Sequence, residues 1–364
     1  MKKSFIPGPV EISRDILKEM AKPMIYHRSQ EFKALLKGIK ELFSDLLETK
    51  NEILLLTNSA TGAMEAAIRS CVQSKVLCIA NGEFGRRFYE ISKANGKEAE
   101  LLDFGEGKEI KYPQLMGILR NKNFDAVTIV ANETSTGIEN DLGALRKIID
   151  SASAETLLLV DGVTAVFGTE IDANKADVLL FGTQKALALP PGIAILIANK
   201  KALERAEKNE NKGYYFDLTR HKKCNDENLT LATPNLPLLY ALLKRLNQIK
   251  QQGIDNFIQA HERKAHLVRR WAEKNGFELF VECNYSKTVT VIKNNKGIDV
   301  SHIIKKLDEG GYCIANGYGP LKDKTFRIGH MGDITADDTL KMLNEFESLM
   351  MEKKDLEIAT SKTI

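Results

Sequence analysis

The chain has 364 residues, of which 43% are apolar and 28% charged, with a formal net charge of +3. That length exceeds what one hydrophobic core usually serves, so two domains are expected. The small net charge argues against a nucleic-acid partner. No apolar run approaches the roughly 18 residues of a membrane span, and MKKSFIPGPVEIS has lysines but no apolar stretch of a secretory signal. The five cysteines are scattered, with no CxxC, and the histidines lack HxxxH spacing. Reduced thiols in a cytoplasmic protein are therefore expected, and no metal site.

In chain order, residues 1–15 read as an arm, because the two prolines and the glycine of Ile6-Pro7-Gly8-Pro9 forbid helix. Arg14–Met20 reads as a short helix. Ser29 caps a long amphipathic helix carrying Phe32, Leu35, Leu36, Ile39, Leu42, Phe43 and Leu46. His27 and Arg28 precede that cap and fall on a loop, where such a pair is commonly solvated.

A strand at 52–57 runs into Asn58-Ser59-Ala60-Thr61-Gly62 and a helix over 63–71. A small-residue turn at a helix N-terminus can cradle an anion, or simply connect a βα unit. The strand 76–80 leads to Asn81-Gly82-Glu83-Phe84-Gly85-Arg86-Arg87, read as a turn with a helix behind it to Asn95. Phe84 either joins a local apolar cluster or covers a ligand. Strands are expected over 98–103 and 126–130, with helices over 112–120 and 142–151. The second of these strands ends on the polar run Asn132-Glu133-Thr134-Ser135-Thr136. Repeated βα units imply a mostly parallel sheet covered on both faces.

The densest signal lies at 156–191. Leu157-Leu158-Leu159-Val160 stops at Asp161, and Val178-Leu179-Leu180-Phe181 stops at Gly182-Thr183-Gln184-Lys185. Unbroken apolar runs of this length read as buried parallel strands. Ligands of open parallel sheets sit outside the carboxyl ends of their strands, so an acid and an amine share one crevice. One cofactor uses such a pair. Pyridoxal phosphate (PLP) is held as a Schiff base on a lysine while an acid keeps its ring nitrogen protonated. From the residues alone, a capping Asp161 and a solvated Lys185 remain equally open.

Farther on, a strand is expected over 193–198, a charged helix over 201–215, a polar loop over 218–228 and a helix over 236–251. Gln251-Gln252-Gly253 marks a boundary, giving a large domain over 16–253 and a small α+β domain over 254–364. In the second, a helix (261–275) precedes strands at 287–292, 312–315 and 325–329, with a helix at 300–308 and a closing helix over 337–351. The tail 352–364 is polar and expected to fray. Arg327 is either an edge charge or a grip for a carboxylate.

LLLVDGVTAVFG followed by LLFGTQKALALPPG resembles the class V aminotransferases of PLP fold type I, in particular alanine:glyoxylate and serine:pyruvate transaminases, with phosphoserine transaminases as near relatives. The resemblance runs from Pro7 to about Thr335. It implies an α/β fold with a large, mostly parallel sheet and a small C-terminal α+β domain. It also implies a homodimer with active sites at the subunit interface.

By that resemblance Lys185 and Asp161 are catalytic. Ala60, Thr61, Phe84, Thr134, Val163, Gln184, Thr230 and Thr233 join them around PLP, although Thr230 stands where relatives often carry tyrosine. Gly8, His27, Arg28 and Arg327 would meet substrate. The reaction implied is amino transfer from alanine or serine to glyoxylate or pyruvate with ping-pong kinetics. Phosphoserine with 2-oxoglutarate is the alternative. A PLP lyase, a desulfurase or a non-catalytic binding module is less well supported, since Cys313 falls in an expected strand and no GxGxxG follows a strand.

Overall fold

The computed structural model describes residues 2–361, with side chains to residue 351. A seven-stranded sheet forms its centre, in the order Glu52–Leu56, Ala194–Ala198, Val178–Gly182, Leu157–Asp161, Ala126–Val130, Lys75–Ala80, Glu98–Asp103. Only Ala194–Ala198 runs against its neighbours. The other contacts are parallel.

Strand side chains alternate between two cores, as period-2 pleating requires. Leu158, Val160, Leu179 and Phe181 enter the core beneath the helices Gln30–Leu46 and Leu236–Gln252. Leu157, Leu159, Val178 and Leu180 enter the opposite core, beneath Ala60–Cys71. Both faces of the central strands are covered, so Leu157–Asp161 and Val178–Gly182 carry no polar alternation, and the first ends at its first polar residue, Asp161.

A third core lies in the C-terminal part, around the strands Val289–Lys293, Thr325–Gly329 and Ala315–Asn316. Trp271, Phe277, Phe326 and Phe346 interlock there, with Trp271 and Phe346 edge to face at 4.9 Å. The helix Ile254–Lys274 spans two cores: Ile254 and Phe257 pack on the first, while Val268, Trp271 and Ala272 enter the third.

Several elements differ from expectation. Leu218–Asn225 is a helix rather than a loop: Asp217 accepts from the Thr219 N–H, and Leu218, His221 and Asn225 form a short buried face too polar to show as a rhythm. The helix expected over 201–215 ends at Lys208. The strand expected at 312–315 splits, with Tyr312–Cys313 pairing with Lys3–Ser4 and Ala315–Asn316 with Thr325–Gly329. The arm is therefore stitched into the C-terminal part, and its Phe5 is fully buried in the third core. The closing helix runs Ala336–Ser361; the last residues of the tail expected to fray, 362–364, lie outside the described range.

Candidate active site

Four strand ends converge on one cavity of about 140 Å³. Asp161 ends one strand and Lys185 follows the next by three residues. Asn132 and Thr134 lie just past Val130, and Ser59, Ala60 and Thr61 follow Leu56 through a tight turn. Phe84, Val163 and Gln184, also singled out from the sequence, line it as well. Asp161 and Lys185, 24 positions apart in sequence, thus share one lining.

Asp161 is 4% exposed, and its Oδ1 accepts the Val163 N–H at 2.8 Å. Burial pushes its carboxyl up to about 7; the Val163 bond and Lys185 oppose this, and Glu133 adds to it. Burial likewise pulls the Lys185 amine down to about 8, against Asp161 and with the help of Arg327 and Arg87. Each partner favours the other's charge, yet burial outweighs that attraction on both, so both sit near the point of gaining or losing a proton.

The arm reaches this place. Lys185 Nζ donates to the Pro7 carbonyl at 2.6 Å, across 178 positions. Gly8 has φ +116°, and a Cβ there would lie 2.7 Å from Lys185 Cδ.

Arg327 lies in the central strand of the three-stranded sheet, 9% exposed, so it is no edge charge. Its Nε donates to the Asn316 carbonyl at 2.9 Å and its Nη1 to the Thr134 carbonyl at 3.3 Å. It has no carboxylate partner among the described residues, which leaves guanidinium edge for an incoming anion.

The expected turn around Phe84 is the first turn of a helix, Glu83–Ala94. Phe84 stacks on Tyr318 at 5.5 Å, and the Arg87 guanidinium lies 4.6 Å from its ring centre. Arg87 also donates to the Tyr318 hydroxyl at 3.2 Å, while Arg327 lies over the Tyr318 ring. Arg87, Asn132, Thr164 and Tyr318 were not singled out from the sequence. Arg87 could have been, since it follows Phe84 by three residues on one helix face. Tyr318 carries no local signal.

Four expected residues lie elsewhere in this chain. Thr230 lines a separate small cavity with His221 and Leu229. Thr233 and Arg28 are exposed and His27 half-buried, none of them in the Lys185 cavity.

A parallel sheet with a lysine and an acid at its strand ends, a helix N-terminus beside them and a small α+β body alongside defines a PLP enzyme of fold type I. Residues 12–321 match the family described as Aminotransferase class-V. An uncharacterized aminotransferase of Methanocaldococcus jannaschii is 37% identical over 93% of this chain and 90% of its own. The serine–glyoxylate aminotransferase of Methylorubrum extorquens is 32% identical over 91% of this chain and 86% of its own. The crystal structure of an alanine–glyoxylate aminotransferase from Nostoc sp. superposes with a TM-score of 0.91 at 26% identity, covering 96% of this chain and 95% of that one. The chain belongs to the class V aminotransferase family, whose members use PLP.

The residues present fit that cofactor. The helix Ala60–Cys71 has no side-chain cap from Ser59, and while the Gly62 and Ala63 N–H groups donate to the Ser59 carbonyl, those of Ala60 and Thr61 are left for a phosphate. The buried Asp161 has no cation within ion-pair distance among the described residues, as a partner for a protonated ring nitrogen should be. The buried Asn132 Oδ1 has no partner either.

Proposed function

We propose that this aminotransferase moves an amino group from a small amino acid, alanine or serine, to glyoxylate or pyruvate. The observation that carries the reading is the shared cavity of Lys185 and Asp161; the serine–glyoxylate and alanine–glyoxylate relatives support the substrate class. When bound, PLP supplies an electron-accepting ring and the aldehyde that takes up the amino group.

The roles of the chain's own residues follow from their chemistry. The amine of Lys185, held near neutrality by burial, takes the substrate α-proton and returns it, as a general base and acid must. Asp161 keeps a proton on the ring nitrogen. The backbone at Ala60 and Thr61 receives the phosphate, Phe84 covers one face of the ring, and Thr134, Val163 and Gln184 close its edges. Arg327 receives the α-carboxylate, and Gly8 lets the arm pass close to Lys185.

A homodimer belongs to the same reading. Met24 and Tyr26, 66% and 65% exposed, precede His27 and Arg28 on a loop that a second copy would cover, bringing those residues and Thr233 toward a partner's site. The division of the chain at Gly253, where φ is +82° between two long helices, is also part of it. Five unpaired cysteines support a reducing, cytoplasmic setting. No helix among the described residues is long and apolar enough to cross a membrane.

Absorbance tests the reading. PLP-loaded protein is expected to show a band above about 400 nm that borohydride bleaches and Lys185→Ala abolishes. Alanine or serine should discharge that band in a single half-turnover. A band discharged only by phosphoserine would replace the proposed donor with the alternative one, and no band at all would overturn the mechanism.

A further inference from the structure

One carboxylate beside the cavity has no part in the chemistry above. Glu133 is 0% exposed, yet both of its oxygens are fully engaged. Its Oε1 accepts from the Ser135 N–H at 3.1 Å and the Ser135 hydroxyl at 2.6 Å. Its Oε2 accepts from the Phe84 and Gly85 N–H groups at 3.0 and 3.1 Å. The second pair opens the helix Glu83–Ala94, whose N-cap, Gly82, has no side chain with which to cap it. Glu133 is thus the cap of a helix nearly fifty residues away.

Burial pushes this carboxyl up, and the four donors pull it down. The geometry decides for the ionised form. Three of the four partners are backbone N–H groups, which cannot accept. The Ser135 hydroxyl already accepts from the Glu83 N–H at 3.0 Å. A carboxyl proton could go only to the remaining lone pair of that hydroxyl, and the hydroxyl's own donation to Glu133 would then be lost, whereas the anion at this helix N-terminus keeps all four donors.

Gly82 is required by this contact, and Gly85 by the strand against which the helix start is seated. A Cβ on Gly82 would lie 2.5 Å from Glu133 Cγ, and one on Gly85 would lie 2.7 Å from Ala80 Cα. The carboxylate so enclosed joins two walls of the cavity. Through the helix start it sets Phe84. Through its own chain it sets Thr134, whose carbonyl receives Arg327. Its charge also acts on Asp161 and Arg327.

We propose that Glu133 is a positioning residue for the PLP site, an ionised buried carboxylate that locks Phe84 and Thr134 in place around the cofactor and the carboxylate-binding arginine. The inference rests on the PLP aminotransferase reading, but its test separates the two. Wild-type protein that formed no Lys185 band would refute that reading, whereas the present inference concerns how variants differ from a wild type that does.

Glu133→Gln turns one acceptor oxygen into an NH2 facing donors. In the folded variant the PLP dissociation constant, followed by absorbance and by quenching of Trp271 fluorescence, should rise about tenfold. The visible circular dichroism of the bound cofactor should weaken as its ring loses a fixed wall. The pH at which the band titrates should also shift, because the neighbouring anion is gone. Ser135→Ala, which removes one of the four donors, should move the same readouts in the same direction by a smaller factor, and it decides the matter should Glu133→Gln fail to fold. A folded Glu133→Gln protein with wild-type PLP affinity, dichroism and band titration would overturn the proposal, because a cap serving only stability would lower the melting temperature and leave those three untouched. Unchanged readouts in Ser135→Ala, where that variant decides, would do the same.

Discussion

Replacing Gly8 by alanine tests how closely the arm is fitted to Lys185, the lysine proposed to react. The added Cβ would stand 2.7 Å from Lys185 Cδ and 2.8 Å from its Nζ, where ordinary contact begins at 3.4 Å. The lysine must therefore retreat by at least 0.7 Å (3.4 minus 2.7), and its bond to the Pro7 carbonyl is lost or stretched. A misplacement of about 1 Å at a reacting group can lower turnover about a hundredfold, so kcat/KM should fall by about 10- to 100-fold. The backbone term is separate. A non-glycine residue at φ +116° costs about 1–3 kcal/mol. With an unfolding entropy of about 2.1 cal/mol/K per residue, that lowers Tm by only about 1–4 °C for a chain of 364 residues. Gly297→Ala is the control: its φ is +62° but nothing lies within 4 Å. It should show a comparable Tm shift with wild-type kinetics. Steady-state rates with a saturating acceptor, beside calorimetry of both variants, complete the comparison. Wild-type kcat/KM in Gly8→Ala, or equal kinetic losses in the two variants, would refute the reasoning.

Arg327→Gln removes the charge at a buried strand position open to an anion, and KM for both amino donor and 2-oxo acid should rise by about 10- to 100-fold; steady-state kinetics with unchanged KM would remove Arg327 from the substrate. The protein should be labile to acid. His261 and His330 are buried, with burial pulling His261 down to about 3 and His330 well below its ordinary value, aided by Lys264. Both are neutral when folded and take a proton near pH 6.5 when unfolded, so their stabilisation is complete above pH 6.5 and declines below it, by about 2 kcal/mol at pH 5 for His261, with His330 acting in the same direction. Urea midpoints at pH 7 and pH 5 should differ less for His330→Gln than for wild type; an identical difference would dismiss His330 as a source. Phe346→Ala opens the aromatic core of the C-terminal part and should cost about 3–5 kcal/mol in denaturant titrations while the folded protein keeps its cofactor band.

Much of the site was legible before any coordinates, and for a local reason. A strand buried on both faces must be apolar until it ends, so Leu157–Asp161 and Val178–Gly182 announced both the sheet and the places where Asp161 and Lys185 leave it. The cap Ser29 is equally local, accepting from the N–H three residues on. The start of the helix at Glu83 was misjudged because its cap, Glu133, comes from another strand end. Leu218–Asn225 was missed because its buried face is largely polar.

The sequence alone determined the alternation of strands and helices, the two polar strand ends that hold the acid and the amine, and the family they belong to. Only the tertiary structure decided that Pro7 meets Lys185, that Tyr318 lies between Phe84 and Arg327, and that a buried Glu133 is fully bonded. Periodicity reports which face of an element is apolar, but not which distant group satisfies a polar atom once water is excluded. That pairing is a property of the packed chain, and the cavity at Lys185 is built largely from such pairings.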